Sequence, residues 1–207
     1  MSIKTSTAIK QFNEIKKYIK NSKMRLAAEL WDSSWKTLIA TVLSARARDE
    51  KTIPTAEKLF KKYNTIKKLA NASLSSIQEI IRPINFYKNK SKSVLACAKV
   101  LVEKYNSKIP FEFEKLISLP GVGRKTANVF LSELGYDTIG VDTHVSYISQ
   151  KLGWVDSNKA EKIESALKKL FPKSYWKRIN PALVRFGKTY TSKKIKNNIL
   201  EKIKRIK

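Results

Sequence analysis

Apolar residues recur at helical spacing along the whole of this chain, and no apolar–polar alternation persists long enough to make a strand. Ile9, Phe12, Ile15 and Ile19 share one face of a helix over 6–21, with lysines on the other faces. Residues 22–32 read as a connection. Trp35, Leu38, Ile39, Val42 and Leu43 then predict a central helix, buried on most sides, with Ser33 or Ser34 placed to cap it. Asp49 is placed to cap the next helix, over 49–63, which Pro54 either starts or kinks. Short helices follow over 66–72 and 73–81, and Pro83 stops the second. A long one runs to about Tyr105. Further helices fall at 143–152, 157–170 and 181–190, the last with Asn180 as cap and Pro181 at its first position. The fold class is all-α.

One glycine turn interrupts this pattern, in Leu119-Pro120-Gly121-Val122-Gly123-Arg124-Lys125-Thr126-Ala127-Asn128-Val129. Glycine permits φ > 0 and a close backbone approach. A helix begins straight after it, over 124–134, with Gly135 placed to end it. Its free N–H groups make a seat for an anion such as a phosphate. The helix before the turn starts within Pro110–Leu116. Lys125 lies in the first turn of the second helix, and Val141-Asp142-Thr143-His144-Val145 follows. A lysine nucleophile with an aspartate is a recognisable chemical pair. Asp142 also suits the N-cap of the helix at Thr143. His144, the sole histidine, suits a structural or phosphate-contacting role better than that of a base.

Composition narrows the partner. Lys and Arg number 43 against 17 Asp and Glu, a formal charge of +26. A polyanion is the natural partner, held with strong salt dependence; a compositional bias towards lysine would give the same count. The one cysteine, Cys97, sits in an apolar helical run and excludes a disulfide within the chain. With a single histidine beside it, a metal site of several Cys or Cys/His ligands is excluded too. No stretch approaches the roughly 18–20 apolar residues of a membrane span. No apolar core follows Met1-Ser2-Ile3-Lys4, so no signal peptide is expected and the protein is read as intracellular.

LPGVGRKTANV followed by GVDTHV resembles the helix-hairpin-helix DNA glycosylases, and most of all their endonuclease III branch. The likeness runs from about Ser33 to about Gly187. It includes Leu38–Ala45, similar to the family's early buried helix, and Asn85-Phe86-Tyr87-Lys88-Asn89-Lys90, similar to its wedge loop. The resemblance implies two α-domains with a cleft between them: 22–136, carrying the hairpin, and 1–21 joined to 137–207. It implies a base-excision-repair glycosylase with AP lyase activity on a damaged base, an oxidised pyrimidine. Lys125 would attack C1′, and Asp142 would stabilise charge on the sugar and move protons. An attacking amine must be neutral, whereas free lysine titrates at about 10.4. The helix N-terminus and neighbouring Arg124 both disfavour the protonated form.

The same resemblance assigns DNA contacts to Gly121, Val122, Gly123, Arg124, Thr126, Arg46, Phe86, Lys88 and His144. Phe86, among Lys88, Lys90 and Lys92, suits insertion into a base stack; the other reading packs it in the core. Arg46 stands where the family usually has a glutamine that fills the gap left by a flipped base. It suits that role or a plain phosphate contact. The partner is damaged double-stranded DNA, the protein a monomer in the cytoplasm at the nucleoid, with a nuclear location left open. The resemblance also implies a monovalent cation at the hairpin turn. Many relatives carry an iron–sulfur cluster on four C-terminal cysteines, but Thr191 stands where the first would be and none follows. No cluster is therefore expected. Instead Ile195, Ile199, Leu200, Ile203 and Ile206 predict a basic amphipathic helix over 193–207 that packs near Phe12, Ile15 and Ile19; the alternative is a solvated tail. Two other functions stay open: an 8-oxoguanine or alkylpurine glycosylase on the same fold, and a non-catalytic helix-hairpin-helix DNA grip.

Overall fold

A computed structural model describes residues 3–207. Met1 and Ser2, at the head of the segment read for a signal peptide, lie outside it. Among the described residues there are twelve α-helices and a 3-10 turn, Lys173–Tyr175, and no strand. The chain packs as two compact units. One is Arg25–Leu134; the other takes the chain up to Met24 and again from Gly135 to Lys207. The joints thus fall two or three residues inside 22–136, because Gly135, with φ +91°, is where the chain turns out of its helix.

The unit Arg25–Leu134 holds α2 (Ser34–Ser44), α3 (Asp49–Lys62), α4 (Ile66–Ala70), α5 (Leu74–Ile81), α6 (Tyr87–Tyr105), α7 (Phe113–Ile117) and α8 (Arg124–Glu133). Helix α2 is buried without a break from Thr37 to Leu43. Its two buried threonines are satisfied locally: Thr41 Oγ1 donates to the Thr37 carbonyl at 2.7 Å, and Thr37 Oγ1 accepts from Trp31 N–H at 3.0 Å. Around it pack Leu59 and Phe60 of α3, Leu69, Ile77, Ile81, and Val94, Cys97, Ala98 and Leu101 of α6. Trp31 and Trp35 meet the Phe60 ring edge-on at 5.0 and 5.3 Å.

Two expected caps differ. Ser33 occupies the cap position of α2, but its hydroxyl donates to the Asp32 carboxylate at 3.3 Å and makes no capping bond. Asp49 is the first residue of α3 rather than its cap, and its buried carboxylate accepts from Ala27 N–H at 3.3 Å. Pro54 lies inside α3, not at its start.

The other unit holds α1 (Thr5–Ile19), α9 (Thr143–Lys151), α10 (Ala160–Leu170), α11 (Trp176–Thr189) and α12 (Lys193–Lys204). Phe12 and Ile15 of α1 share a core with Ile148, Ile163, Leu167, Leu183, Phe186, Leu200 and Ile203. Helix α11 starts at Trp176, so Asn180 and Pro181 are interior residues rather than cap and first turn. The proline removes one hydrogen bond to the carbonyl four residues back. That residue, Lys177, is exposed, so water can satisfy its carbonyl. The C-terminal segment is a helix docked on α1. Leu200 and Ile203 are buried and Ile199 and Ile206 half-buried, whereas Ile195 is exposed, so the contact face starts one turn later than the isoleucine spacing implies. Buried Gln11 fastens it: Nε2 donates to the carbonyls of Lys204 and Ile206, both at 3.3 Å, while Oε1 accepts from Trp154 Nε1 at 2.6 Å.

Candidate active site and nucleic-acid interface

The hairpin is α7, a turn over 118–123, and α8. It starts at Phe113, three residues after Pro110, where regular helical bonding begins. Only one of the two turn glycines has φ > 0. Gly121 sits at φ +79°, and a Cβ there would lie 2.7 Å from Ser93 Cβ, so backbone and space both demand glycine. Gly123 is extended, with φ −92° and ψ 175°, and a Cβ would meet nothing within 4 Å. Nothing inside the protein requires that glycine. It leaves the entrance to α8 bare, where the first amides of the helix carry partial positive charge.

Around the turn, Val122 and Thr126 are buried, so any contact they make with a ligand is through the backbone. Val122 N–H already donates to the Leu119 carbonyl at 3.0 Å. The exposed Arg124 holds its guanidinium 5.1 Å above the Phe113 ring, which ties α8 to α7. Lys125 is half-buried in the first turn of α8.

Asp142 is the N-cap of α9: its Oδ1 accepts from Val145 N–H at 2.8 Å, which fixes the carboxylate and leaves it half-buried. The segment leading to it is fixed by a residue that the sequence reads only as a helix cap. Buried Asn180 donates from Nδ2 to the Gly140 carbonyl at 2.7 Å. His144 has an equally hidden partner. A Cβ at Gly187 would lie 2.1 Å from His144 Nδ1, so the imidazole is seated where a side chain on α11 would otherwise stand.

Arg46 and Phe86 form the third group. Arg46 is exposed, and Phe86 is 60% exposed, which excludes its core packing. Both have left-handed backbones, φ +52° and +61°. Residues with a side chain adopt this rarely, and such strain collects where function needs it. Asn85 Nδ2 donates to the Arg46 carbonyl at 3.4 Å, joining the two loops. Lys88 is exposed in the first turn of α6. Lys90, one of the cations expected to flank Phe86 at the surface, is instead buried, and burial pulls its ammonium down to about 8. The hairpin rests on the same two helices as this group, since Gly121 faces Ser93 of α6 and Val42 of α2. Asp142 and His144 belong to the other unit.

An all-α chain with a glycine hairpin feeding a lysine into a helix start, and with paired, strained, exposed residues beside it, has the parts of a DNA-repair protein of the helix-hairpin-helix class. Residues 39–173 match the family described as HhH-GPD superfamily base excision DNA repair protein. The chain belongs to that superfamily and, within it, to the endonuclease III branch. It is 43% identical over 156 residues to the endonuclease III of Thermotoga maritima, covering 74% of this chain and 73% of that one. To the endonuclease III of Bacillus subtilis it is 36% identical over 155 residues, covering 73% and 70%. Among solved structures, a trapped endonuclease III–DNA covalent intermediate with an estranged adenine matches at a TM-score of 0.83 and 30% identity, covering 92% of this chain and 89% of that chain.

The iron–sulfur cluster of many relatives needs thiolates, and these residues do not fit one. The 207 residues hold a single cysteine. Cys97 lies in the core around α2, where burial pushes its thiol up to about 12. Among the described residues no group of three or more His, Cys, Asp or Glu could hold a metal ion. No helix there is long and apolar enough to cross a membrane.

Proposed function

We propose that this chain excises a damaged base from double-stranded DNA and then cleaves the strand 3′ to the abasic site. It is a bifunctional DNA glycosylase and AP lyase. Lys125 is the nucleophile: its neutral Nζ attacks C1′ as the C1′–base bond breaks and the base leaves with a proton; the C1′–O4′ bond then opens to give a Schiff base, and loss of a C2′ proton expels the 3′ phosphate by β-elimination. Asp142 stabilises positive charge on the sugar and moves protons. Gly121, Gly123 and Thr126 hold a phosphate through backbone amides at the start of α8, Val122, whose N–H is spent on Leu119, shapes the turn, and the family resemblance adds a monovalent cation there. Lys88 and His144 add contacts to the sugar–phosphate chain, and Arg124 adds positive charge beside the turn. The damaged base leaves the duplex to reach Lys125; Phe86 enters the stack it vacates and Arg46 faces the base left behind. The base removed is an oxidised pyrimidine, the substrate that the resemblance to the endonuclease III branch implies. No cluster takes part: Thr191 opens the segment where relatives place cysteines, and α12 closes that end of the unit.

The observation that carries this reading is the conjunction of Lys125 with a bare glycine entrance to α8 in a chain whose superfamily match runs far beyond the hairpin. A DNA grip needs the turn but not the lysine. Borohydride reduction in the presence of an abasic-site duplex tests it. A covalent protein–DNA adduct is expected from the wild type and should vanish in Lys125→Ala. An adduct that survives the substitution would remove Lys125 from the mechanism.

A further inference from the structure

The carbonyl oxygens from Thr41 to Arg46 are all accounted for, although α2 ends at Ser44 and its next turn is missing. Ser44 Oγ donates to Thr41 at 2.8 Å, Ala45 N–H to Val42 at 3.4 Å, and Ala47 N–H to Ser44 at 3.1 Å. Asn85 Nδ2 serves Arg46. The two that remain go to one ammonium: Lys90 Nζ donates to Leu43 at 2.7 Å and to Ala45 at 2.6 Å. Lys90 is 9% exposed, and no carboxylate pairs with it among the described residues. A buried charge without a counter-charge is costly. What compensates it is the negative end of α2, onto whose last carbonyls it points.

The same residue also grips the other loop. Lys90 N–H donates to the Phe86 carbonyl at 3.0 Å. Its side chain therefore holds the residue before Arg46 while its backbone holds Phe86. Both positions set in this way, Arg46 and Phe86, are left-handed and exposed.

We propose that Lys90 is a positioning residue for base extrusion: a buried clamp that keeps Arg46 and Phe86 at a fixed separation, so that the pair enters the duplex as one rigid tool. This rests on the function proposed above, in which those two residues open the base stack. Lys90 itself touches no DNA. Removing its ammonium frees the Leu43 and Ala45 carbonyls, and Arg46 loses its set backbone without any change at Lys125.

The test compares two substrates in single-turnover assays of the full chain. One is a duplex with an oxidised pyrimidine, where a stack must be opened. The other is a single-stranded oligonucleotide with a preformed abasic site, where none exists. Lys90→Met should slow base excision from the duplex by about 10–100-fold, the scale of a small misplacement, and leave single-strand cleavage unchanged. Equal losses on both would mean a general folding defect and overturn the proposal, as would wild-type rates on the duplex. Lys90→Gln, which keeps a shorter polar end, is read the same way if the methionine variant does not melt cooperatively. Arg46→Ala and Phe86→Ala on the duplex separate the two layers. If both cleave it at the wild-type rate, the stack-opening reading fails and takes the clamp with it. If they are impaired and neither Lys90 variant is, only the clamp fails.

Discussion

Gly187 lies inside α11, where glycine costs roughly 0.5–1 kcal/mol against alanine. The chain keeps it there because the His144 ring fills the place of its Cβ. Gly187→Ala should therefore destabilise the protein despite its better helix propensity, by about 1–3 kcal/mol as for other overpacked sites; urea unfolding would measure it, and a stabilised variant would contradict the packing. Glu133 gives a pH-dependent case. Burial raises its carboxyl from 4.5 to about 7. The folded state thus binds more protons than the unfolded one between those values, so its share of stability is full below about 4.5 and lost as pH rises through 7. Glu133→Gln should match the wild type at the acid end and exceed it above neutrality, in unfolding curves taken at each. Equal curves at both ends would refute the burial argument. The places of Lys125, in the first turn of α8, and of Asp142, at the cap of α9, are legible in the sequence because each belongs to a contiguous motif whose local geometry follows from its residues. Lys90, Asn180 and Gln11 are not. Their partners lie 47, 40 and 193 residues away, and no local pattern marks them.

At the scale of elements, helical period locates nearly every helix, while ends are read less well. Ser33 and Asp49 have the chemistry of caps but meet other partners, Asp32 and Ala27. Asn180-Pro181 looks like a helix start, yet tertiary packing carries α11 back to Trp176. Helix α12 is foreshadowed by its isoleucines, though its inner face is set by Leu200 and Ile203 together. Truncation after Ser192 should lower the melting temperature clearly. Each large apolar side chain lost from the core is worth about 1.5–3 kcal/mol before ordering costs. The cut also strips the Lys204 and Ile206 carbonyls from buried Gln11. An unchanged melt would mean that α12 contributes nothing to its unit.

For the molecule as a whole, positive charge outweighs every other surface property. Its +26 exceeds what solubility asks for. If about 6–10 phosphates are neutralised, affinity for duplex DNA should drop roughly 10³–10⁵-fold between 50 and 200 mM salt. A flat titration would make the lysines a matter of composition. The unit closed by α12 has a consequence for supply. Its seal is peptide: a helix, a glutamine and two backbone carbonyls, all delivered by translation itself. If that seal stands in place of a cluster, as proposed above, nothing in it has to be scavenged, inserted by a maturation system or guarded from oxidants. Protein unfolded in urea with a strong chelator should regain full strand-cleaving activity on dilution, at the same yield as without the chelator. A cell short of iron would then lose none of this repair capacity.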